Sequence, residues 1–499
     1  MKPLLNWFAF ITILSFISNI ETFADDRSNA RGLGMSTACV VSGTGLDAYG
    51  INPANYYFRR SEPVIGTNKG AYRLKQKDKS TLEISIVNLG GGYGSDKSLN
   101  FYTTYLNYLS IRRETFANRF LNLDSVFNFR TNVLPDKNTQ VNYDFELKWF
   151  SVNFTKPSIG AINFTISDKV GLNTNVMNKN ESFPLPSIRF GSNGSYDILS
   201  ADLHLSEAIA WWIRKYTIGY AQQFLNKGIV KNVTVGFSAS LVHGFGNAII
   251  YNSGIKMDTY GIRNDPHGNH IDSVKGKQDF YSLQSLTDLF QDYIDGAETH
   301  YNFFPRPAGK GFSFDAGINI QVGDYIWIAA SVTELGFIKW DYNTLINRDT
   351  NDFYYKDFYV LTEDPVYNQF VNDLDGLNTR YEGISYKTDM PTKYRAGILF
   401  KPKETFSVEF DWVKGMNNLP SNSTRDKVSM GAEYYILKNI ALRSGFSFGG
   451  SESFNFSLGA GYTYKSFSID IASYNMNVIW NQFTEINRLS LAVSTKLTF

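Results

Sequence analysis

The chain has 499 residues, 48 Lys and Arg against 47 Asp and Glu, a formal net charge of +1, and 16% aromatic residues. Its mean hydropathy is only −0.24. A charge this close to zero supplies no long-range field to gather nucleic acid, which excludes that class of partner. So many rings at so low a hydropathy fit a membrane β-barrel better than a string of soluble domains, because barrel strands alternate lipid-facing rings with lumen-facing polar groups.

Lys2, the apolar stretch Leu4 to Ile20 and the small residues of Thr22-Phe23-Ala24 read as an export signal, residues 1–24, cleaved after Ala24. Asn6, Ser15, Ser18 and Asn19 interrupt the stretch and argue against a retained membrane helix. Beyond it no run of about 18 apolar residues follows, so helical spans are not expected. The single cysteine, Cys39, excludes an intrachain disulfide and a Cys-rich zinc site. It is expected to be a small buried residue. Asp25, Asp26, Arg27 and Arg31 separate it from the export segment, so it is not a lipid-anchor cysteine.

Residues 25–79 do not alternate and carry Gly32, Gly34, Gly43, Gly45 and Gly50. Glycines at that density permit tight turns and close backbone approach. Irregular backbone cannot face lipid, where its polar groups would go unpaired, but it can sit in a lumen. The segment is expected to be a plug.

Residues 80–499 show period-two patterning in many short segments, the expected barrel. In Val141 to Trp149 the polar Asn142, Asp144, Glu146 and Lys148 oppose Val141, Tyr143, Phe145, Leu147 and Trp149. His204 is in phase with Ser200, Asp202 and Ser206 and is expected to face the lumen. His243 is in phase with Phe237, Ala239 and Leu241, so the two histidines do not share a site. Gly236-Phe237-Ser238-Ala239-Ser240 superficially resembles a nucleophile elbow but lacks the final Gly and the strand-to-helix context. No Ser or Asp can be paired with a His from the sequence, and no enzymatic activity is read.

Two inserts, about Ile255–Lys310 and Asp341–Lys393, break the strand series and are expected to be long outer loops. Leu283, Leu286, Leu289, Phe290 and Tyr293 in the first recur at helical spacing, giving a helix that packs on a rim or acts as a ligand-touching lid. His267 and His270 lack a third spaced ligand, and Asp373-Leu374-Asp375-Gly376 lacks the Glu of a calcium loop, so no metal and no cofactor is expected. Between the inserts, Phe312 to Val322 puts Ser313, Asp315, Asn319 and Gln321 on one polar face.

The C-terminal third reads as a run of strands at Tyr394–Phe400, Phe406–Trp412, Val428–Ile436, Ile440–Phe448, Phe454–Tyr464, Phe467–Ser473 and Leu489–Phe499. Turn signals at Lys156-Pro157-Ser158, Gly323-Asp324, Lys438-Asn439 and Gly449-Gly450 make them antiparallel hairpins. Segments of this length match a tilted bilayer crossing of about 9–11 residues. Tyr462, Tyr464, Trp412 and Trp340 stand near strand ends, where interfacial girdles belong. About 17 candidate strands reduce to about 14, an even number. The fold class expected is all-β: a transmembrane antiparallel barrel of about 14 strands with an N-terminal lumenal plug and long outer loops. Phe499, an aromatic last residue on an apolar face, resembles the signal read by outer-membrane barrel assembly machinery.

Ala30-Arg31-Gly32-Leu33-Gly34-Met35, Asp47-Ala48 and Asn52-Pro53-Ala54 together resemble the start of the long-chain fatty-acid outer-membrane transporter family, whose superfamily includes a type IX secretion barrel component. Gly311 to Gly317, Ser331 to Trp340 and Pro391 to Gly397 look like one uncharacterised branch of it. The resemblance implies a bacterial outer-membrane barrel with an N-terminal hatch that includes Gly32, Gly34, Asn52, Pro53 and Ala54. It implies passive uptake of a hydrophobic small molecule, captured by outer loops and released after the hatch shifts. The alternative reading is a structural or secretion-linked barrel that binds envelope proteins through its inserts; an open porin is disfavoured by the plug.

Overall fold

The structure is a computed structural model. It describes residues 27–57, 61–65, 72–76, 80–95, 131, 136, 138–176, 178–182, 187–190, 196–205, 207–225, 228–251, 253–288, 304–360, 364–375, 380–450, 454–476 and 488–499. The export signal expected at residues 1–24 lies outside these.

In chain order, β1 (Ser61–Ile65) and β2 (Tyr72–Gln76) form a separate hairpin within the stretch whose sequence does not alternate. Then come β3 (Thr81–Ser95), β4 (Thr139–Lys156), β5 (Gly160–Val176), β6 (Ser187–Phe190), β7 (Tyr196–Leu205), β8 (Glu207–Leu225) and β9 (Val230–Ile250). The middle holds β10 (Ser253–Asp265), β11 (Gly268–Leu286), β12 (Gly309–Val322), β13 (Ile326–Trp340), β14 (Thr344–Tyr359), β15 (Arg380–Glu382) and β16 (Tyr386–Asp389). The series ends with β17 (Lys393–Lys403), β18 (Phe406–Gly415), β19 (Lys427–Leu437), β20 (Ile440–Gly449), β21 (Phe454–Tyr464), β22 (Phe467–Ser473) and β23 (Arg488–Thr498).

Fourteen of these close into one antiparallel ring, in the order β3-β4-β5-β8-β9-β12-β13-β17-β18-β19-β20-β21-β22-β23, and β23 pairs back onto β3. Closure leaves the ring without a free edge. Short turns such as Val322–Ile326, Leu437–Ile440 and Tyr464–Phe467 gather at one end, and the long connections at the other. The C-terminal strands run as the alternation predicts. On β18, Glu409 is 0% exposed while its neighbour Phe410 is 48% exposed, the inverse of a soluble sandwich and the pattern of a wall with lipid outside. The exposed rings and aliphatics of the other wall strands, among them Ile218, Phe237, Phe312, Ile398, Phe446 and Leu491, continue that belt.

Among the described residues, most of the two inserts is strand and helix where loops were expected. Strands β6, β7, β10, β11, β14 and β15 pair in that order into a second sheet, joined to the wall where Leu283 on β11 meets Ile249 on β9. The helix Pro365–Asp375 lays Tyr367 and Phe370 on Met257, Ile271, Val274 and Phe358 of that sheet, giving the projection its own core.

Three expectations are corrected here. Leu283 and Leu286 belong to strand β11, not to a helix. Their three-residue spacing is helical, but β9 and β14 flank β11 and supply ladder partners for its backbone, and this long-range pairing outweighs local periodicity. Leu289, Phe290 and Tyr293 lie outside the described residues. His204 sits on β7, in the projecting sheet and not in the barrel wall. Trp340 is no girdle residue: it is fully buried and donates its indole N–H to Thr388 Oγ1 at 2.8 Å.

Candidate functional site

The candidate site is the contact between residues 27–57 and the inner wall. The segment begins with a helical turn, Ala30–Gly34, capped by Asn29, whose Oδ1 accepts the Gly32 N–H at 3.0 Å. Gly32 is required by its neighbour: a Cβ there would lie 2.6 Å from Cys39 Sγ. Cys39 is buried, as its composition role suggested. A Cβ on Gly34 would lie 2.9 Å from the Cα of Gly459 on β21. Met35 rests on Gly431 and Gly445, which face each other across β19 and β20 and leave no room for side chains of their own.

The Asn-Pro-Ala element sits in a second seat of the same kind. Asn52 caps the 3-10 turn Pro53–Tyr56, accepting the Ala54 N–H at 3.1 Å, and Pro53 fixes the first helical position. The turn lies on Gly236 and Gly317, direct partners across β9 and β12. A Cβ on Gly236 would come within 2.3 Å of Pro53 C and 2.4 Å of Ala54 N. On Gly317 it would lie 2.0 Å from Asn52 Oδ1, and on Gly219 of β8 it would strike the Tyr56 ring at 2.4 Å. Asn52 Nδ2 donates to Val40 O (3.1 Å) and Ile318 O (3.3 Å), tying the turn both to the segment and to the wall. Asn319 Nδ2 donates to Asn55 Oδ1 at 2.6 Å, and Ser331 Oγ donates to Ile51 O at 2.6 Å.

Charge completes the contact. Arg31 grips Glu433 through Nε and Nη2 (3.1 and 3.0 Å), and Arg443 joins Glu433 to Asp470 at 2.6 Å each. On β23, Lys496 Nζ meets Asp47 Oδ2 at 2.7 Å. Burial by itself would raise the Asp47 carboxyl, but Lys496 and Arg31 outweigh it and hold it below the usual carboxylate range. Burial pushes the Tyr49 phenol up; its OH is 2.7 Å from Ser167 Oγ, and Lys148 and Lys215 lie over its ring at 4.9 and 5.7 Å. Lys169 and Lys215 converge on Glu334 at 2.9 and 2.7 Å. A β-bulge opposite Asp315 turns Glu334 inward beside Thr333. Ser28 donates to Glu146 through both N–H (3.1 Å) and hydroxyl (2.8 Å). The segment thus bonds to strands all around the ring.

Toward the long-connection end the interior changes character. Trp211, Ile213, Val242, Ile338, Trp340 and Met390 form a buried apolar cluster, and Leu419 of the β18–β19 connection packs against it. That connection is folded inward: Ser421 donates to Asp144, and Asn173 Nδ2 donates to Asn418 O at 2.6 Å.

The sequence singled out Gly32, Gly34, Asn52, Pro53 and Ala54 but could not find their counterparts Gly219, Gly236, Gly317, Gly431, Gly445 and Gly459, which look like ordinary small strand residues until the segment is laid on them. Of the histidines, His243 stands on the outward phase of β9 with its ring edge-on to Tyr216. His270 pairs through Nε2 with Asp357 Oδ1 at 2.8 Å in the projecting sheet. Among the described residues no three His, Cys, Asp or Glu side chains are grouped as metal ligands.

Residues 86–473 match a family described as a family of unknown function, DUF5723. The chain belongs to it. In this DUF5723 chain the matched residues include Gly311 to Gly317, Ser331 to Trp340 and Pro391 to Gly397. No curated protein matches it. Among solved structures it is similar to a Pseudomonas aeruginosa FadL homologue (11% identity, 96% of this chain and 98% of that one, TM-score 0.40). It is also similar to the Pseudomonas putida toluene transporter TodX (11%, 96% and 98%, 0.39) and the Ralstonia pickettii toluene transporter TbuX (12%, 96% and 98%, 0.36).

Proposed function

We propose that this DUF5723 chain is a bacterial outer-membrane transporter, not an enzyme, that passes a hydrophobic, fatty-acid-like small molecule through a barrel closed by an N-terminal hatch. The exposed apolar belt supports immersion in outer-membrane lipid, with the short turns on the periplasmic side. The observation that carries the reading is the fit of residues 27–57 to the lumen: two turns on wall glycines, with ion pairs between them.

The test is a lock. Ser36 Oγ and Ser457 Oγ are 2.7 Å apart, one on the segment and one on β21, so Ser36→Cys with Ser457→Cys, in a Cys39→Ser background, is placed to form a disulfide. Uptake of a fluorescent long-chain fatty acid into liposomes containing the oxidised protein should fall to background and return on reduction. Undiminished uptake through the oxidised barrel would refute the hatch.

A second reading is favoured by the projecting sheet, whose core is separate from the barrel: a structural or secretion-linked barrel that holds envelope proteins. Replacing residues 255–281 by a short linker should then abolish capture of a crosslinked partner while fatty-acid binding persists.

A further inference from the structure

One turn of the segment is held differently from the rest. Glu409 and Asp411 are two residues apart on β18, so both point into the lumen, and both are buried. Asp411 Oδ2 accepts the N–H groups of Cys39 (2.6 Å) and Val40 (2.9 Å). Glu409 Oε1 accepts that of Val41 at 2.6 Å, and both Glu409 oxygens share that of Ser42 at 3.3 and 3.2 Å. Four consecutive backbone donors thus converge on one carboxyl pair. The other side of the turn is held by neutral amides, Asn52 and Asn55 donating to Val40 O (3.1 and 2.9 Å) and Asn55 and Asn319 to Val41 O (3.1 and 3.2 Å). Arg31 of the segment and Arg395 of β17 are the cations facing this region.

We propose that Glu409 and Asp411 are the latch of the hatch: positioning residues whose release of the Cys39–Ser42 backbone frees the segment from the wall. The inference rests on the hatch reading above. Two features of the geometry single out this pair. The turn lies in sequence between the seat of the helical turn and the seat of the Asn-Pro-Ala turn, so motion of either seat must pass through it. Its bonds to the wall all run from backbone N–H groups to one carboxyl pair, so they part together when the turn moves, with no side chain of the turn to rearrange.

The experiment is hydrogen exchange of the full-length protein in detergent micelles, followed on peptides covering residues 36–44 and on peptides of the wall. In Glu409→Gln/Asp411→Asn each side chain keeps one acceptor oxygen and exchanges the other for an N–H2 donor. Exchange at residues 39–42 should accelerate by about tenfold or more while wall strands stay protected, because the new N–H2 groups face backbone donors and leave fewer acceptor oxygens to hold them. Glu409→Ala/Asp411→Ala, which removes the acceptors, should accelerate it further. If a double variant yields no protected wall, the single variants Glu409→Gln and Asp411→Asn are read in the same way. Exchange within twofold of the parent in these variants overturns the latch. If exchange rises but fatty-acid uptake is unchanged, the latch stands and the hatch reading falls. If exchange is flat while the Ser36–Ser457 disulfide still blocks uptake, the hatch stands and the latch falls.

Discussion

Both seats of the N-terminal segment are floored with wall glycines, but only around Arg31 and Asp47 is charge added. Around Pro53 the wall is neutral and recessed: three strands give up their side chains so that backbone meets backbone at contact distance. Around Arg31 and Asp47 the wall reaches out with long charged side chains, Glu433 on β19 and Lys496 on β23. A steric seat tolerates no added atoms but is indifferent to pH and salt. An ionic seat accepts small displacements but depends on every partner being present and charged, since an unmatched buried charge is far costlier than a missing pair. The segment is therefore held by backbone contact at both turns and tethered electrostatically as well around Arg31 and Asp47.

The largest effect should come from filling the steric seat. Gly236→Leu puts a side chain where Pro53 and Ala54 already lie, and overpacking into backbone that cannot yield costs about 3 kcal/mol or more. The expected outcome is a barrel with normal heat-modifiable migration on gels but with residues 44–57 open to protease. Persistence of the parent's protection would mean that the seat is softer than its geometry implies.

Next is the ionic seat. Arg31→Ala leaves Glu433 short of one cation and should destabilise docking by about 3 kcal/mol, while Arg31→Ala with Glu433→Gln should recover part of that loss. Salt-dependent protease protection of residues 27–35 in the parent, absent in the double variant, would measure the difference between the seats. Equal behaviour of single and double variants would show that charge matters little there.

The smallest effect is acid release. Asp47 titrates below its ordinary value in the docked state, so its contribution is fully present above the unfolded carboxyl value of about 3.9 and fades as pH falls through the lower docked value. Hydrogen exchange at residues 44–48 should therefore accelerate below about pH 4, after correction for intrinsic rates, and exchange at residues 53–57 should not. Simultaneous acceleration at both would merge the two seats into one unit.

The wall could be read from residues alone because a strand's facing is a local property. Alternation in Phe406–Trp412 or Phe454–Tyr464 fixes which side meets lipid whatever the neighbouring strand is, and short turns such as Lys438-Asn439 fix the hairpins. The corner at Asn52-Pro53-Ala54 was legible for the same reason, in a proline φ that is fixed locally. What the tertiary structure decided is everything that depends on partners far apart in the chain. Leu283 and Leu286 became strand because β9 and β14 offered hydrogen bonds to both edges of β11; Trp340 was drawn into a core by Thr388 and Met390; and Gly236, Gly317, Gly431 and Gly445 acquired a purpose only when turns about 180–410 residues away came to rest on them. Periodicity reports the side of a surface on which a residue stands. Only packing reports what stands opposite.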